Sequence, residues 1–483
     1  MAKVLVFDFG ASSARAIITE YNGREFISEE IHRFPNNPIE RDGTLYWDID
    51  YLLSEVDNAV AKAKSKGFDG ISVDTWGVDF AIVDDEGGFI ERPVHYRDNR
   101  TRAVIDEVNE LFGGEKELYR RTGIQPAWFN TIYQLYALNK ARPESLKKGH
   151  FLMMPDLICN HLTGEIHNEY AEATTTGFLN PETKKWDEGI LGKMGIAPDI
   201  FPEIINTGDI YGYLKEEYSD GRKIPVIAVP SHDTAAAVAA VPSSEREFVF
   251  ISTGTWALFG TELEAPVITD KAYKAELTNE GGHSGTITLL KNIMGMWLFQ
   301  ECKKDFEAKG EPLSFGEMEK LAEGAEPYRF FINPNDESFS QPGDMPEKIR
   351  SFIMRTRQGA PENTAQILRA VYDSLACEFA CTLRDIEDIT GRSFDTLYMF
   401  GGGTKDKLIC ARTAEMTGCR VVAGPTEATS LGNAVCAFVG TRAIGSVAEA
   451  REIIRSSGLT AEFLPDTKTD REGILEKYRS IVK

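Results

Sequence analysis

The residues that most restrict this chain are its first ones, Val4-Leu-Val-Phe-Asp8-Phe-Gly10-Ala-Ser-Ser-Ala-Arg15. The apolar run Val4–Phe7 has the pattern of a strand buried on both faces. It ends in Asp8. A carboxylate beside a buried strand is costly unless a partner compensates it. A metal ion, or the water bound to one, would be such a partner. The turn that follows offers a glycine, small residues, free N–H groups and two hydroxyls, which suit a phosphate. A tight β-hairpin with polar turn residues explains the same pattern, because short glycine-rich turns have weak specificity.

The 483 residues leave room for about three average domains or for two large ones. With 53 basic against 75 acidic residues the net charge is −22. That excess argues against nucleic acid and anionic membrane as partners. An anionic substrate would therefore need a local, organised site; much of the acidity also serves solubility. The seven cysteines are scattered and form no Cys-x-x-Cys motif. They read as reduced thiols of a cytoplasmic protein, with Cys377 and Cys381 packed in a helix rather than ligating a metal. Asp8 interrupts the first apolar run, so no signal-peptide pattern is visible. The longest strictly apolar stretch, Ala235–Val241, is too short to span a bilayer. Composition carries no signal for an oligomeric state.

Strands alternate with helices along the chain, which predicts an α/β class. Strands are expected at Val4–Phe9, Gly70–Asp74, Val78–Val83, Ile224–Val229, Phe248–Ser252 and Thr396–Phe400, and helices over Tyr51–Ser65 and Asn363–Ile389. In the second helix Ile367, Leu368, Val371, Leu375, Phe379, Leu383 and Ile386 follow a helical period. Asn363 or Thr364 caps its start and Gly391 its end. A polar connector, Pro242–Glu247, divides the chain at its middle. Both halves open with one grammar, a strand, a polar turn and a further apolar segment: Val4–Arg15 in the first and Phe248–Gly260, with its Thr253-Gly-Thr255 turn, in the second. This suggests a pseudo-repeat around a cleft. The expected division is 1–242, 243–450 and terminal helices over 451–483, with Lys477–Lys483 loose.

Asp74-Thr-Trp-Gly77-Val-Asp79 sets two carboxylates, an indole and a glycine at a strand end. Carboxylates bind hydroxyl pairs and an aromatic face packs on a sugar ring, so a polyol site is one reading. A hairpin with a structural Trp76 and solvated acids is the other. Ser231-His-Asp233-Thr precedes a small-residue helix, whose field favours an ionised Asp233. Such a carboxylate can take a proton from a hydroxyl; an ordinary N-cap Asp is the alternative. His232 is a candidate donor to a ligand or a packed loop residue. Gly401-Gly-Gly403 permits close backbone approach to a base or ribose, or acts as a hinge. Asn279-Glu280-Gly-Gly282 and Asn292-Ile-Met-Gly-Met-Trp297 add polar positions. There is no Gly-x-x-x-x-Gly-Lys-Ser/Thr loop, no Gly-x-Gly-x-x-Gly fingerprint and no His-Glu-x-x-His.

Asp8-Phe-Gly10, Thr253-Gly-Thr255 and Gly401-Gly-Gly403 together resemble the sugar kinases of the FGGY family. Asn168–Thr176, Ile332-Asn-Pro-Asn-Asp336 and Gly424-Pro-Thr-Glu427 extend the resemblance in order from about residue 4 to about 440. Ala14 departs from the family motif, where Gly is frequent, and Ala is tolerated there only with φ below zero. Pro230 stands where a small residue is common. The resemblance implies two actin-like, ribonuclease H-like domains with mixed sheets, helices on their faces and a cleft between them. It implies that residues 1–242 bind sugar and phosphate and that 243–450 bind nucleotide. The implied reaction is ATP-dependent phosphorylation of a ketose, L-rhamnulose, at its 1-hydroxyl. Asp233 would be the general base. Gly77, His232, Asp233, Thr234 and Asn292 would contact the sugar, with Asp74, Trp76 and Asp79 added from the residues themselves. Ala11, Ser12, Ser13, Ala14, Arg15, Thr255, Gln300, Gly401, Gly402 and Gly403 would hold ATP, and Asp8 would stand near the water shell of Mg²⁺. Another ketose or polyol kinase, a non-catalytic sugar or nucleotide sensor, and a glycosidase using Asp74 and Asp79 are the competing readings.

Overall fold

The computed structural model describes residues 2–219 and 221–482. It divides into two compact units. The first comprises Met1–Ser244, Glu262–Leu289 and Ala428–Ser457; the second comprises Glu245–Thr261, Leu290–Glu427 and Gly458–Lys483. Two segments that follow the polar connector in sequence thus pack with the first unit.

In the first unit the strand Ala2–Phe9 runs through the middle of a six-stranded mixed sheet. It pairs antiparallel with Ser13–Tyr21 and parallel with Gly70–Asp74. Strands on both edges and helices on the faces explain why Val4–Phe7 is continuously apolar and why Val4–Phe9 is buried throughout. The outer strand Phe26–Pro35 exposes the charged residues Glu29, Glu30 and Arg33, which discourages edge pairing. Helix Ile49–Lys64 buries Ile49, Leu52, Val56, Ala59, Val60 and Ala63, at helical spacing, in the core that holds Leu5, Phe7 and Val73.

The second unit repeats this arrangement. Val249–Thr253 pairs antiparallel with Trp256–Leu263 and parallel with Thr396–Phe400, which pairs parallel with Arg420–Ala423. In each unit a hairpin strand lies beside a parallel strand whose end carries a motif: Asp74 in one, Gly401 in the other. Helix Thr364–Thr390 is capped by Asn363, whose side chain accepts from Gln366 N, and closed by Gly391 in the left-handed region. All seven predicted apolar positions of this helix are buried.

Three expectations change. The strand predicted over Val78–Val83 shortens to Phe80–Val83 and joins a separate antiparallel sheet, because Val78 has φ 69° and breaks the run. The strand predicted over Ile224–Val229 shortens to Pro225–Ile227. Residues expected to be loose from Lys477 belong to helix Arg471–Val482, where Tyr478 is buried and donates to Glu378 Oε2 at 2.7 Å; Lys483 lies outside the described residues. All seven cysteines are free of disulfides and six are buried. Among the described residues no helix is long and apolar enough to cross a membrane.

Candidate active site

The opening turn is a β-hairpin whose tip is tied down from outside. Gly10 N donates to Ser13 O at 3.0 Å, and Asn36 donates through Nδ2 to Gly10 O and through N to Ser12 O. Ala11 and Ser12 are exposed at the tip, and Ser13 is half-buried. Asp8 and Arg15 are register partners, and Arg15 Nη2 donates to Asp8 Oδ2 at 2.6 Å. Ala14 lies in the sheet between Phe9 and Phe34 and is fully buried outside the positive-φ region. Alanine therefore fits there, but its side chain faces the core and offers nothing to a phosphate.

Asp74 stands beside Asp8 in the parallel ladder. It is wholly buried; its Oδ2 accepts from Asn433 Nδ2, and its Oδ1 has no partner. Burial, and then the charge of Asp8, push its pKa well above the usual carboxylate range. Beyond Asp74 the strand end is joined to the Ser231–Thr234 segment. Thr75 N donates to Ser231 O and Asp233 N to Thr75 O, both at 2.8 Å. Two motifs far apart in sequence thus form one backbone unit. Glu169 fixes it from behind, its Oε2 accepting from Ser231 N at 3.1 Å and Ser231 Oγ at 2.9 Å. Thr175 fixes Gly77: Val78 N donates to Thr175 Oγ1, and a Cβ on Gly77 would come within 3.2 Å of that side chain.

Asp233 begins helix Asp233–Ala239 and accepts from Thr234 Oγ1 at 3.1 Å. Its side chain is 35% exposed, whereas Asp74, Asp79 and Glu172 are fully buried. Of these four acids it is the only one open to an incoming hydroxyl. His232 places Nε2 3.5 Å from Asp233 Oδ1.

Trp76 and Asp79 do not serve as sugar contacts in this arrangement. Trp76 is buried, its ring 4.0 Å from that of Trp47. Asp79 Oδ2 accepts from Trp47 Nε1, Trp76 Nε1 and Tyr96 N, and its Oδ1 from Gln134 Nε2 at 3.0 Å. Both oxygens are engaged. The pair forms a buried hub that supports the turn, and Asp79 is equally unavailable as half of a glycosidase pair. Thr131 Oγ1 and Gln134 Nε2 donate to Val78 O, holding that residue in a conformation β-branched side chains rarely adopt.

Burial raises the Asp79 pKa to about 6, against the opposing hydrogen bonds from Trp47, Gln134 and Trp76 and the charge of Arg100. The folded state thus binds this proton more tightly than the unfolded chain. The associated stabilisation is complete below about pH 4 and is lost as pH rises through about 6. Because two indoles donate to the carboxyl, tryptophan fluorescence is expected to titrate with a midpoint near pH 6. A flat signal between pH 5 and 7 would contradict this environment.

In the second unit Thr255 O accepts from Gly295 N and Trp297 N, and Gly254 O from Met296 N. Thr253 Oγ1 donates to Phe400 O at 2.6 Å. This brings the Thr253–Thr255 turn against the triple glycine. A Cβ on Gly401, where φ is 91°, would lie 2.7 Å from Thr253 O, and one on Gly403 2.8 Å from Thr253 Cβ. Those two glycines are required by packing. Gly402 faces open space and is the member free to meet a ligand. Gln300 is half-buried on helix Trp297–Ala308, and Asn292 is exposed on the strand Ile287–Met294.

Among the described residues no group of three or more His, Cys, Asp or Glu side chains is arranged to hold a metal by itself. Mg²⁺ keeps several waters and commonly takes one or two carboxylates plus substrate phosphates. Asp8, beside the unpartnered Oδ1 of Asp74, fits that kind of ion.

Residues 3–239 match the N-terminal domain of the FGGY family of carbohydrate kinases, and residues 249–441 match its C-terminal domain. The chain belongs to the FGGY family. It is 39% identical over 458 residues to a rhamnulokinase of Halalkalibacterium halodurans, covering 94% of this chain and 97% of that one. A gluconate kinase from Lactobacillus acidophilus superposes with a TM-score of 0.81 at 15% identity, over 99% of this chain and 97% of that one. A Plasmodium falciparum glycerol kinase with ADP gives 0.80 at 16% identity, again over 99% and 97%. The fold is that of the two-domain, actin-like sugar kinases, and this FGGY member is a carbohydrate kinase for which family membership implies ATP as co-substrate.

Asn433, Glu169, Thr175, Gln134 and Glu280 are structural partners of the site that motif reading leaves out. Only Glu169, Thr175 and Glu280 carried a signal, as members of the polar runs Asn168–Thr176 and Asn279–Gly282.

Proposed function

We propose that this kinase phosphorylates L-rhamnulose at its 1-hydroxyl, giving L-rhamnulose 1-phosphate and ADP, within L-rhamnose catabolism in the cytoplasm. The near full-length 39% identity to a rhamnulokinase carries the choice of sugar. The joined Asp74–Gly77 and Ser231–Thr234 segments supply a site of the right chemistry, an open carboxylate bordered by backbone and hydroxyl groups.

Asp233 accepts the proton of the 1-hydroxyl as that oxygen bonds to the γ-phosphorus, and the bond from phosphorus to the ADP oxygen breaks in line. Gly77, His232, Thr234 and Asn292 bind the sugar. Asp74 acts from behind, as a buried acid facing Asp8 and tied to Asn433. Ala11, Ser12, Ser13 and Arg15 offer the hairpin tip to the phosphates, and Thr255, Gly402 and Gln300 hold the nucleotide. Asp8 would hold Mg²⁺ through its water shell, and the ion when bound neutralises phosphate charge that a chain of net charge −22 otherwise repels. In this division residues 1–242 carry sugar and phosphate contacts and 243–450 carry the nucleotide. The partners are small molecules, with no nucleic acid or membrane.

A panel of ketoses with Mg·ATP, followed by ADP release, tests the substrate. L-rhamnulose is expected to give the highest kcat/KM. Preference for fuculose or xylulose would reassign the sugar while leaving the kinase chemistry in place.

A further inference from the structure

Glu280 is fixed on both sides by the local fold. Asn279 N and Nδ2 both donate to Gly123 O; Nδ2 also donates to Val267 O, and Oδ1 accepts from Val267 N. Gly281 N donates to Thr174 Oγ1 at 2.7 Å, and a Cβ on Gly281 would lie 2.9 Å from Ala171 Cα. Held between these anchors, Glu280 sets Oε2 3.2 Å from His232 Nδ1. The two atoms are not aligned as a hydrogen bond and neither has another hydrogen-bond partner, so the contact is one of proximity and charge. The other ring nitrogen, Nε2, faces Asp233 Oδ1. The side chains of His232 and Glu280 are each 12% exposed, which leaves little water to screen the pair.

We propose that Glu280 is a positioning residue for the acceptor site: its carboxylate holds a proton on His232 Nδ1 and keeps Nε2–H turned toward Asp233 and the sugar. This rests on Asp233 being the base of the proposed reaction.

The charges facing His232 agree. Glu280 faces it from the strand Thr278–Gly281, Asp233 from its own segment, and Glu169 from the strand Asn168–Glu169. Glu172, on the helix that follows, is pushed well above the usual carboxylate range by burial and then by Asp156, Glu169, Asp233 and Glu280. Burial alone would lower the His232 pKa; Glu280 first, then Asp233 and Glu169, outweigh it, and the net direction is upward. With Glu280 neutralised, the burial effect gains weight and the ring loses its proton at lower pH.

The test is Glu280→Gln, with Glu280→Asp as the charge-conserving variant, in the full chain. Nitrogen NMR of histidine-labelled protein follows the ring, with His232 assigned by its loss in His232→Asn. Wild-type His232 is expected to titrate above the ordinary histidine value. In Glu280→Gln the midpoint falls by about one pH unit or more, and Glu280→Asp restores most of it. With the sugar, Glu280→Gln raises KM about tenfold above neutral pH and less at pH 6, while KM for ATP stays unchanged. A His232 midpoint unmoved by Glu280→Gln, or a wild-type midpoint below the ordinary value, overturns the proposal. The NMR arm needs no substrate, so its failure is separate from failure of the L-rhamnulose assignment.

Discussion

Asp233→Asn is expected to lower kcat by about 10²–10⁴-fold, the range for removal of a general base. Asparagine keeps the size of the side chain and an oxygen that can accept from Thr234 Oγ1. The backbone bond from residue 233 to Thr75 O is untouched. The variant should therefore fold normally and bind ATP with wild-type affinity, losing only the group that takes the proton of the sugar hydroxyl. Coupled ADP release measures kcat, and calorimetry measures ATP binding. Turnover within a few-fold of wild type would remove Asp233 from the base role. Three neighbouring acids are no ready substitutes: Asp74 faces a buried amide, Asp79 has both oxygens taken, and Glu172 is fully buried.

The pattern of apolar runs and caps made the sheet-and-helix order legible, because buried strands and amphipathic helices impose periodicities that survive any tertiary context. Gly70–Asp74, Thr396–Phe400 and the capped helix Thr364–Thr390 follow from sequence almost to the residue. Positions decided by long-range contact were not legible. Trp76 and Asp79 look like a sugar platform in sequence, and only the presence of Trp47, Tyr96 and Gln134 makes them a closed hub. Gly401 and Gly403 look like ligand glycines until Thr253 is seen to occupy the space of their Cβ atoms. Asn433 and Glu280 have roles that no motif spells out, because those roles come from pairing with Asp74 and His232.

Gly432→Ala is expected to damage both stability and turnover, although the residue touches no ligand in the proposed reaction. Helix Ala428–Gly440 crosses helix Asp233–Ala239 in the first unit at a distance that only glycine permits. An added Cβ would lie 1.8 Å from Ala236 O and 2.8 Å from Ala236 C, both backbone atoms, so no side-chain rotation relieves the clash. The helices must separate. Overpacking of this kind typically destabilises by about 1–3 kcal/mol. The separation also acts on the chemistry. Asn433, the next residue, donates to Asp74, and Ala236 is less than one turn from Asp233. At the far end of that short helix Arg451 donates to the carbonyls of Val238 and Ala239, so the helix cannot slide away freely. The strain therefore falls on the end that carries Asp233, and kcat should drop about tenfold or more, in line with the sensitivity of catalysis to small misplacements. Gly192→Ala is the control: that helical glycine has open space around its Cβ position, and alanine there should be neutral or stabilising by about 0.5–1 kcal/mol. Thermal unfolding and ADP release on the two variants separate the cases. If Gly432→Ala matches Gly192→Ala in both measurements, the close helix crossing does not hold Asp233 in place.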